Sequence, residues 1–152
     1  MDKQKPLGSF TSRRTFVKNS SLLAGGLVAA PLFSGANFFS GADDVIRIAL
    51  IGCGGRGTGA AVQALSTKQN VRLVAMADAF RDRLDSSLGN ITEALEGKKD
   101  RVQVKEDHKF IGFDAYKKAI AAADVVLLTT PPGFRPIHFE EAVTQVKQIF
   151  ME

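Results

Sequence analysis

The 152 residues predict a doubly wound α/β fold on a parallel sheet, and three observations predict it. Short, continuous runs of branched apolar residues recur along the chain, as in strands buried on both faces. Segments with helical spacing alternate with these runs, the order that βαβ units require. The first run, Val45 to Ile51, leads straight into Gly52-Cys53-Gly54-Gly55-Arg56-Gly57, a G-x-G-x-x-G turn followed by small, helix-compatible residues.

Residues 45–51 read as a buried parallel strand. Gly55 to about Ser66 reads as the first helix, kept thin at its start by Gly57, Gly59, Ala60 and Ala61 so that it can lie close to the sheet. Val71 to Ala77 is the second strand and ends at Asp78. Phe80, Leu84, Leu88, Ile91 and Leu95 recur at steps of four and three and predict the apolar stripe of a second helix, with Gly89-Asn90 as its weak point. Gly97 to Asp100 is polar and turn-like. Val102 and Val104 predict a short third strand, and Asp114 is placed to N-cap a helix carrying Tyr116, Ala119 and Ile120. Val125 to Thr129 is the fourth strand, followed at once by Thr130-Pro131-Pro132-Gly133. Pro136 suits the first turn of the next helix, whose apolar face carries Phe139, Ala142, Val143 and Val146. Gln148 to Met151 opens a fifth strand.

With 45% apolar and 24% charged residues, the composition is that of a globular protein. The formal charge of +4 belongs entirely to residues 1–42, where Lys3, Lys5, Arg13, Arg14 and Lys18 stand against Asp2. Residues 43–152 are balanced, with no basic stripe, which argues against nucleic-acid binding. In the basic segment, Ser12-Arg13-Arg14-Thr15-Phe16-Val17-Lys18 fits the twin-arginine export signature. An apolar stretch from Leu22 to Phe39 follows, with small-residue cleavage sites at Ser34-Gly35-Ala36 and Ser40-Gly41-Ala42. The expectation is a signal peptide over residues 1–42, recognised by the twin-arginine machinery, and a periplasmic or otherwise exported product. An uncleaved signal acting as an anchor is the alternative. Cys53 is the single cysteine, so no internal disulfide can form.

The chemistry lies in the turn. Gly52 permits the sharp exit from the strand, Gly54 lets the backbone approach a pyrophosphate, and Gly57 lets helix and strand lie close. Amides at the helix N-terminus, with its positive dipole end, suit phosphates. Asp78 stands 21 residues beyond Gly57 at a strand end, where a carboxylate accepts from ribose hydroxyls and repels a 2′-phosphate. NAD is therefore expected over NADP, with Arg56, Arg81 and Arg83 nearby to soften the choice. Thr129-Thr130-Pro131-Pro132 lies on the same ligand-binding edge, as a lining or only as a rigid turn. His138 is expected at the nicotinamide or as a capping or surface histidine, and His108 in solvent. No His/Cys/Asp/Glu cluster has metal-ligand spacing, and no catalytic triad or carboxylate pair can be argued.

These motifs resemble the N-terminal domain of the Gfo/Idh/MocA oxidoreductases over Val45 to Glu152. They are Ala49-Leu50-Ile51-Gly52-Cys53-Gly54-Gly55-Arg56-Gly57, the strand ending in Asp78, Thr130-Pro131-Pro132 with His138, and Ile149-Phe150-Met151-Glu152. The Gly-Gly-Arg-Gly turn also resembles the family's NAD-dependent glycosidase branch. The resemblance implies a Rossmann-type domain followed by a second, substrate-binding α/β domain, and hydride transfer from a sugar, cyclitol or similar hydroxyl compound. It places Gly52, Cys53, Gly54, Gly55, Arg56 and Gly57 at the pyrophosphate and Asp78 at the ribose. Thr130, Pro131 and His138 fall on the nicotinamide side, and Glu152 matches the Glu of the family's Glu-Lys-Pro motif. Two departures stand out. Val146-Lys147-Gln148 replaces the usual Gly-Lys-His, putting valine where a left-handed helix ending favours glycine. The Lys-Pro and the second domain lie outside the chain. Residues 43–152 are thus expected to be a C-terminally truncated dinucleotide-binding domain with no catalytic acid or base, exposing apolar surface that a second domain would cover. A sugar-like substrate is expected only with that domain. A non-catalytic nucleotide-binding module paired with another chain, or a homo-oligomer, stays open.

Overall fold

The computed structural model describes residues 44–152; the predicted leader, residues 1–42, lies outside them. Five strands form one parallel sheet in the order β3-β2-β1-β4-β5: β1 (Ile46–Ile51), β2 (Val71–Asp78), β3 (Lys109–Ile111), β4 (Val125–Leu128) and β5 (Gln148–Met151). Helices α1 (Gly55–Ser66), α2 (Arg81–Ala94), α3 (Ala115–Ala121) and α4 (Arg135–Thr144) connect them. This is the doubly wound, Rossmann-like α/β architecture that the alternation of runs implied.

Both faces of the central strands are packed. On one, Ile48, Leu50, Leu73 and Met76 meet Leu65 of α1 and Leu84 and Ile91 of α2. On the other, small residues dominate: Ala49, Ala75 and Ala77 face Ala119 and Ile120 of α3 and Ala142 of α4. Full burial of one leucine side chain contributes roughly 1.5–3 kcal/mol, so the leucine-rich face carries most of the hydrophobic stabilisation and the alanine-rich face lets α3 sit close. At the start of the β1–β4 ladder Asp124 takes the backbone N–H and the guanidinium of Arg47, at 3.1 and 2.7 Å. That contact holds the Asp124 carboxyl below the usual aspartate range, mainly through the side-chain hydrogen bond.

Several sequence expectations change. The third strand is Lys109–Ile111; Val102 makes only an isolated bridge to Leu73. Glu96 to Arg101 form short 3₁₀ turns broken by a kink at Lys98, and the third strand joins the sheet beside the C-terminal end of β2. β2 carries a bulge, because the β1 register skips Val74, and the Val74 carbonyl meets His108 Nδ1 at 3.0 Å. His108 is therefore tied to the sheet rather than solvated. Phe80 precedes α2 and is exposed, so the buried stripe begins at Leu84, and Gly89-Asn90 leaves α2 unbroken. Asp114 stands at the N-cap of α3 without a side-chain capping bond; its carboxylate pairs with Lys117. On α4 the buried positions are His138 and Ala142, one turn apart, while Phe139 and Val143 face solvent. Phe150 and Met151 of the edge strand β5 are exposed as well.

The end of α4 is strained. Val146 has φ +53° and is 90% exposed. Its N–H donates to the Val143 carbonyl and the Lys147 N–H to the Ala142 carbonyl, both at 2.9 Å. The glycine-type helix ending is thus built with a β-branched residue, for which the left-handed region costs roughly 1–2 kcal/mol. Val146→Gly should raise stability by about 1 kcal/mol and Tm by a few degrees, since glycine takes this φ freely. Thermal unfolding of the full chain checks this; an unchanged or lower Tm would show that the strain is relieved elsewhere.

Candidate functional site

A cavity of about 620 Å³ opens along the C-terminal edge of the sheet. Its floor is the Gly52–Gly54 turn; Asp78 and Arg83 stand toward β2, Gly112 and Phe113 toward β3, and Thr130, Arg135 and His138 toward β4. This is where open α/β sheets hold ligands.

Gly52 has φ +94°, and a Cβ there would lie 2.9 Å from the backbone of Thr129 and Thr130. Gly57 has no room for a side chain: a Cβ would run into the Gly52 carbonyl and lie 2.5 Å from Thr129 Oγ1. Gly54 differs. Its φ is an ordinary −76° and nothing lies within 4 Å of a Cβ built on it. The fold does not demand glycine there; a ligand approaching the backbone would. The amides of Gly55, Arg56 and Gly57 find no acceptor among the described residues, and Thr58 N–H is the first bonded within the helix, to the Gly54 carbonyl. Orphan amides at the helix positive end, facing open space, fit a phosphate.

Asp78 is bound into the same edge. Its Oδ2 accepts from Cys53 N–H at 2.6 Å and its Oδ1 from Phe80 N–H at 3.0 Å. A carboxylate has about four acceptor directions, so two remain for a ligand. The Cys53 side chain is buried, its Sγ 3.6 Å from the Ala77 carbonyl. Burial, then the charge of Asp78, push its thiol far above the ordinary range, so it stays protonated and unreactive. Arg56 and Glu152 pair with each other at 2.5 Å, both partly exposed, and neither lines the cavity.

At the other end, His138 is 7% exposed, neither a cap nor a surface residue. Its Nδ1 lies 3.1 Å from Thr130 Oγ1 and its ring 4.2 Å from that of Tyr116. Burial lowers its pKa from 6.5, so the ring is neutral at pH 7. Pro131 lines the cavity and is exposed. Sequence reasoning missed three residues: Phe113 and Phe134, which stack at 6.1 Å on the rim, and Arg135, which donates Nε to the Thr130 carbonyl at 2.7 Å. Thr129, expected only as part of the turn, donates to the Gly52 carbonyl at 2.7 Å. The signal for Arg135 was its place seven residues beyond the end of β4, on the ligand edge. Among the described residues no cluster could hold a metal ion and no helix is long and apolar enough to cross a membrane.

No sequence-family model matches the chain, and no curated protein does. Solved structures do. The scyllo-inositol dehydrogenase of Lactobacillus casei, with bound NAD(H) and scyllo-inositol, is similar at 25% identity with a TM-score of 0.52. The match covers 71% of this chain and 28% of that one. The apo form of that enzyme matches at 22% identity with a TM-score of 0.50, over 70% of this chain and 28% of that one. The chain thus spans little more than a quarter of the length of the enzyme it resembles.

Gly57→Ala should destabilise the fold by about 2–3 kcal/mol or prevent folding, because backbone and a pinned threonine would have to move. Denaturant unfolding reads this, and a wild-type midpoint would refute the tight crossing. His138 gives a pH signature. Its native pKa lies below 6.5, so the unfolded state takes the proton first. The contribution is intact above about pH 6.5 and falls as pH drops toward the lowered native value, at up to about 1.4 kcal/mol per pH unit. His138→Gln should flatten that slope; an unchanged slope would mean that His138 titrates alike in both states.

Proposed function

We propose that this chain is the NAD-binding module of an exported oxidoreductase of Gfo/Idh/MocA type, which moves hydride between a nicotinamide and a hydroxyl of a sugar or cyclitol. The observation that carries it is the pairing of the open, amide-lined space at Gly54 with the Asp78 carboxylate one strand away. The likeness to an inositol dehydrogenase holding NAD(H) supports the cofactor and the substrate class.

In this reading the amides of Gly55, Arg56 and Gly57 take the pyrophosphate. The remaining acceptor directions of Asp78 take ribose hydroxyls, and its charge disfavours a 2′-phosphate. Thr130 and His138 line the β4 end, with the buried His138 ring packed against Tyr116. Bound there, the dinucleotide supplies the ring that accepts or gives hydride. The residues described here bind and orient it.

Calorimetric titration of the full chain should show saturable binding of NAD and weaker binding of NADP. Asp78→Asn keeps the acceptor shape but loses the charge, and should narrow the NAD preference by about tenfold. Gly54→Ser places a Cβ in the phosphate space while offering a better helix cap, so it should weaken NAD by at least about tenfold without lowering Tm. A folded protein that binds neither dinucleotide would end this reading.

A further inference from the structure

We infer that Ser87, buried between α1 and α2, is a positioning residue for the glycine-rich turn: acting through Thr58, it holds the Gly54 carbonyl along the helix and so aims the Gly55 amide at the pyrophosphate. The identity of the ligand rests on the dinucleotide reading; the chain of hydrogen bonds does not.

The inward face of α2 carries Leu84, Ser87 and Ile91, all buried. At 2% exposure, the Ser87 hydroxyl occupies a place where alanine would pack without a polar atom. Burying a hydroxyl costs free energy unless it is hydrogen-bonded. Thr92, on the same helix, returns its hydroxyl to the Leu88 carbonyl at 2.8 Å. Ser87 instead crosses to α1, where its Oγ lies 2.7 Å from Thr58 Oγ1.

The direction of the chain follows from its far end. Thr58 Oγ1 lies 3.0 Å from the Gly54 carbonyl, which can only accept, so the single hydroxyl hydrogen of Thr58 goes to Gly54. Ser87 must then donate to Thr58. The Gly54 carbonyl also takes the Thr58 N–H at 2.9 Å, the first bond of α1. Its two lone pairs are thus both occupied from the helix side.

The first helical bond forms without the hydroxyls. What needs them is the peptide joining Gly54 to Gly55. Neither residue has a side chain, and nothing lies within 4 Å of a Cβ built on either, so no steric contact at those positions opposes rotation of that peptide. In a trans peptide the carbonyl and the following N–H point in opposite directions. With the Gly54 carbonyl held toward Thr58, the Gly55 N–H points out of the helix end. A turned peptide would present a carbonyl oxygen there instead and repel a phosphate. Ser87 therefore acts at one remove, by keeping Thr58 oriented on the least constrained peptide of the turn.

The test compares Ser87→Ala, Thr58→Val, their double variant and Thr58→Ser in the full 152-residue protein. Calorimetric titration should show NAD weakened by about fivefold in Ser87→Ala and in Thr58→Val. The double variant should bind as Thr58→Val does, because Ser87 acts only through the Thr58 hydroxyl. Thr58→Ser keeps that hydroxyl and should bind as the wild type. In Ser87→Ala, Tm should move by no more than about 2 °C, since alanine suits both the helix and the packing. Adenosine, which has no phosphate, should bind that variant as it binds the wild type. Additive losses in the double variant, an equal loss of adenosine or an unchanged NAD affinity would overturn the inference. Amide relaxation dispersion on the NAD-free protein reads the peptide directly: the Gly55 signal should gain millisecond exchange in Ser87→Ala and show none in the wild type or Thr58→Ser. If the wild type binds no NAD, the dinucleotide reading falls and this exchange alone judges the hydrogen-bond chain; its appearance keeps the chain and its absence removes it.

Discussion

Everything at the ligand edge depends on the closeness with which α1 crosses the ends of β1 and β4. Gly57 lies against the Gly52 carbonyl and the Thr129 hydroxyl with no space for a methyl group. The same hydroxyl donates to the Ile51 and Gly52 carbonyls, at 3.1 and 2.7 Å, so the end of β4 is fastened to the turn that leaves β1. Gly52 N–H reaches the Ala77 carbonyl at 2.9 Å and Cys53 N–H reaches Asp78, which fastens β2 to that turn as well. Three strand ends become one rigid lip. The helix start is held over it with its amides free, as preorganised phosphate binding needs.

Electrostatics then divide the cleft. Asp78 spends two acceptor directions on backbone amides, so it is positioned before any ligand arrives. Toward β4, Arg135 Nε donates to the Thr130 carbonyl and His138 Nδ1 meets the Thr130 hydroxyl, so one residue orients both side chains. Arg56 stands outside the cleft. A cation in the first turn of α1 opposes the helix dipole, and Glu152 offsets it from the end of β5. The pair is exposed, so its contribution to stability is at most about 1 kcal/mol.

Four of the strands, the first two helices and the glycine-rich turn were legible in the sequence because each rests on a local rule: branched runs, helical spacing and glycines at fixed offsets. The third strand was not, because Val102-Gln103-Val104 has strand character and Lys109-Phe110-Ile111 hardly more. What selects the latter is tertiary, the pairing of Lys109 to Ile111 with Met76 to Asp78. The face of α4 was misread for a similar reason. Phe139 and Val143 fit a stripe, yet the alanine-rich sheet face admits Ala142 and the planar ring of His138 instead. The geometry bears out the steric readings of Gly52 and Gly57, and it separates them from Gly54, which the fold leaves open. The joint role of Thr130 was invisible, since its hydroxyl and its carbonyl serve residues five and eight positions away.

Val146 shows how this topology overrides local preference. α4 ends at Thr144 and β5 begins at Gln148, so three residues must turn the chain back onto the sheet. The landing is fixed: Gln148 N–H must meet the Asp124 carbonyl, and Val125 to Leu128 must pair with Gln148 to Met151 in parallel register. A left-handed residue closes so short a reversal, and it falls on a valine 90% exposed, where no packing compensates it. Lengthening the turn by one residue would relieve the strain but slip the register. Ile149 would leave the core face, and Glu152, whose N–H now meets the Leu128 carbonyl, would move away from Arg56. The strained valine is therefore the local cost of a register that the edge strand and the Arg56–Glu152 pair both require.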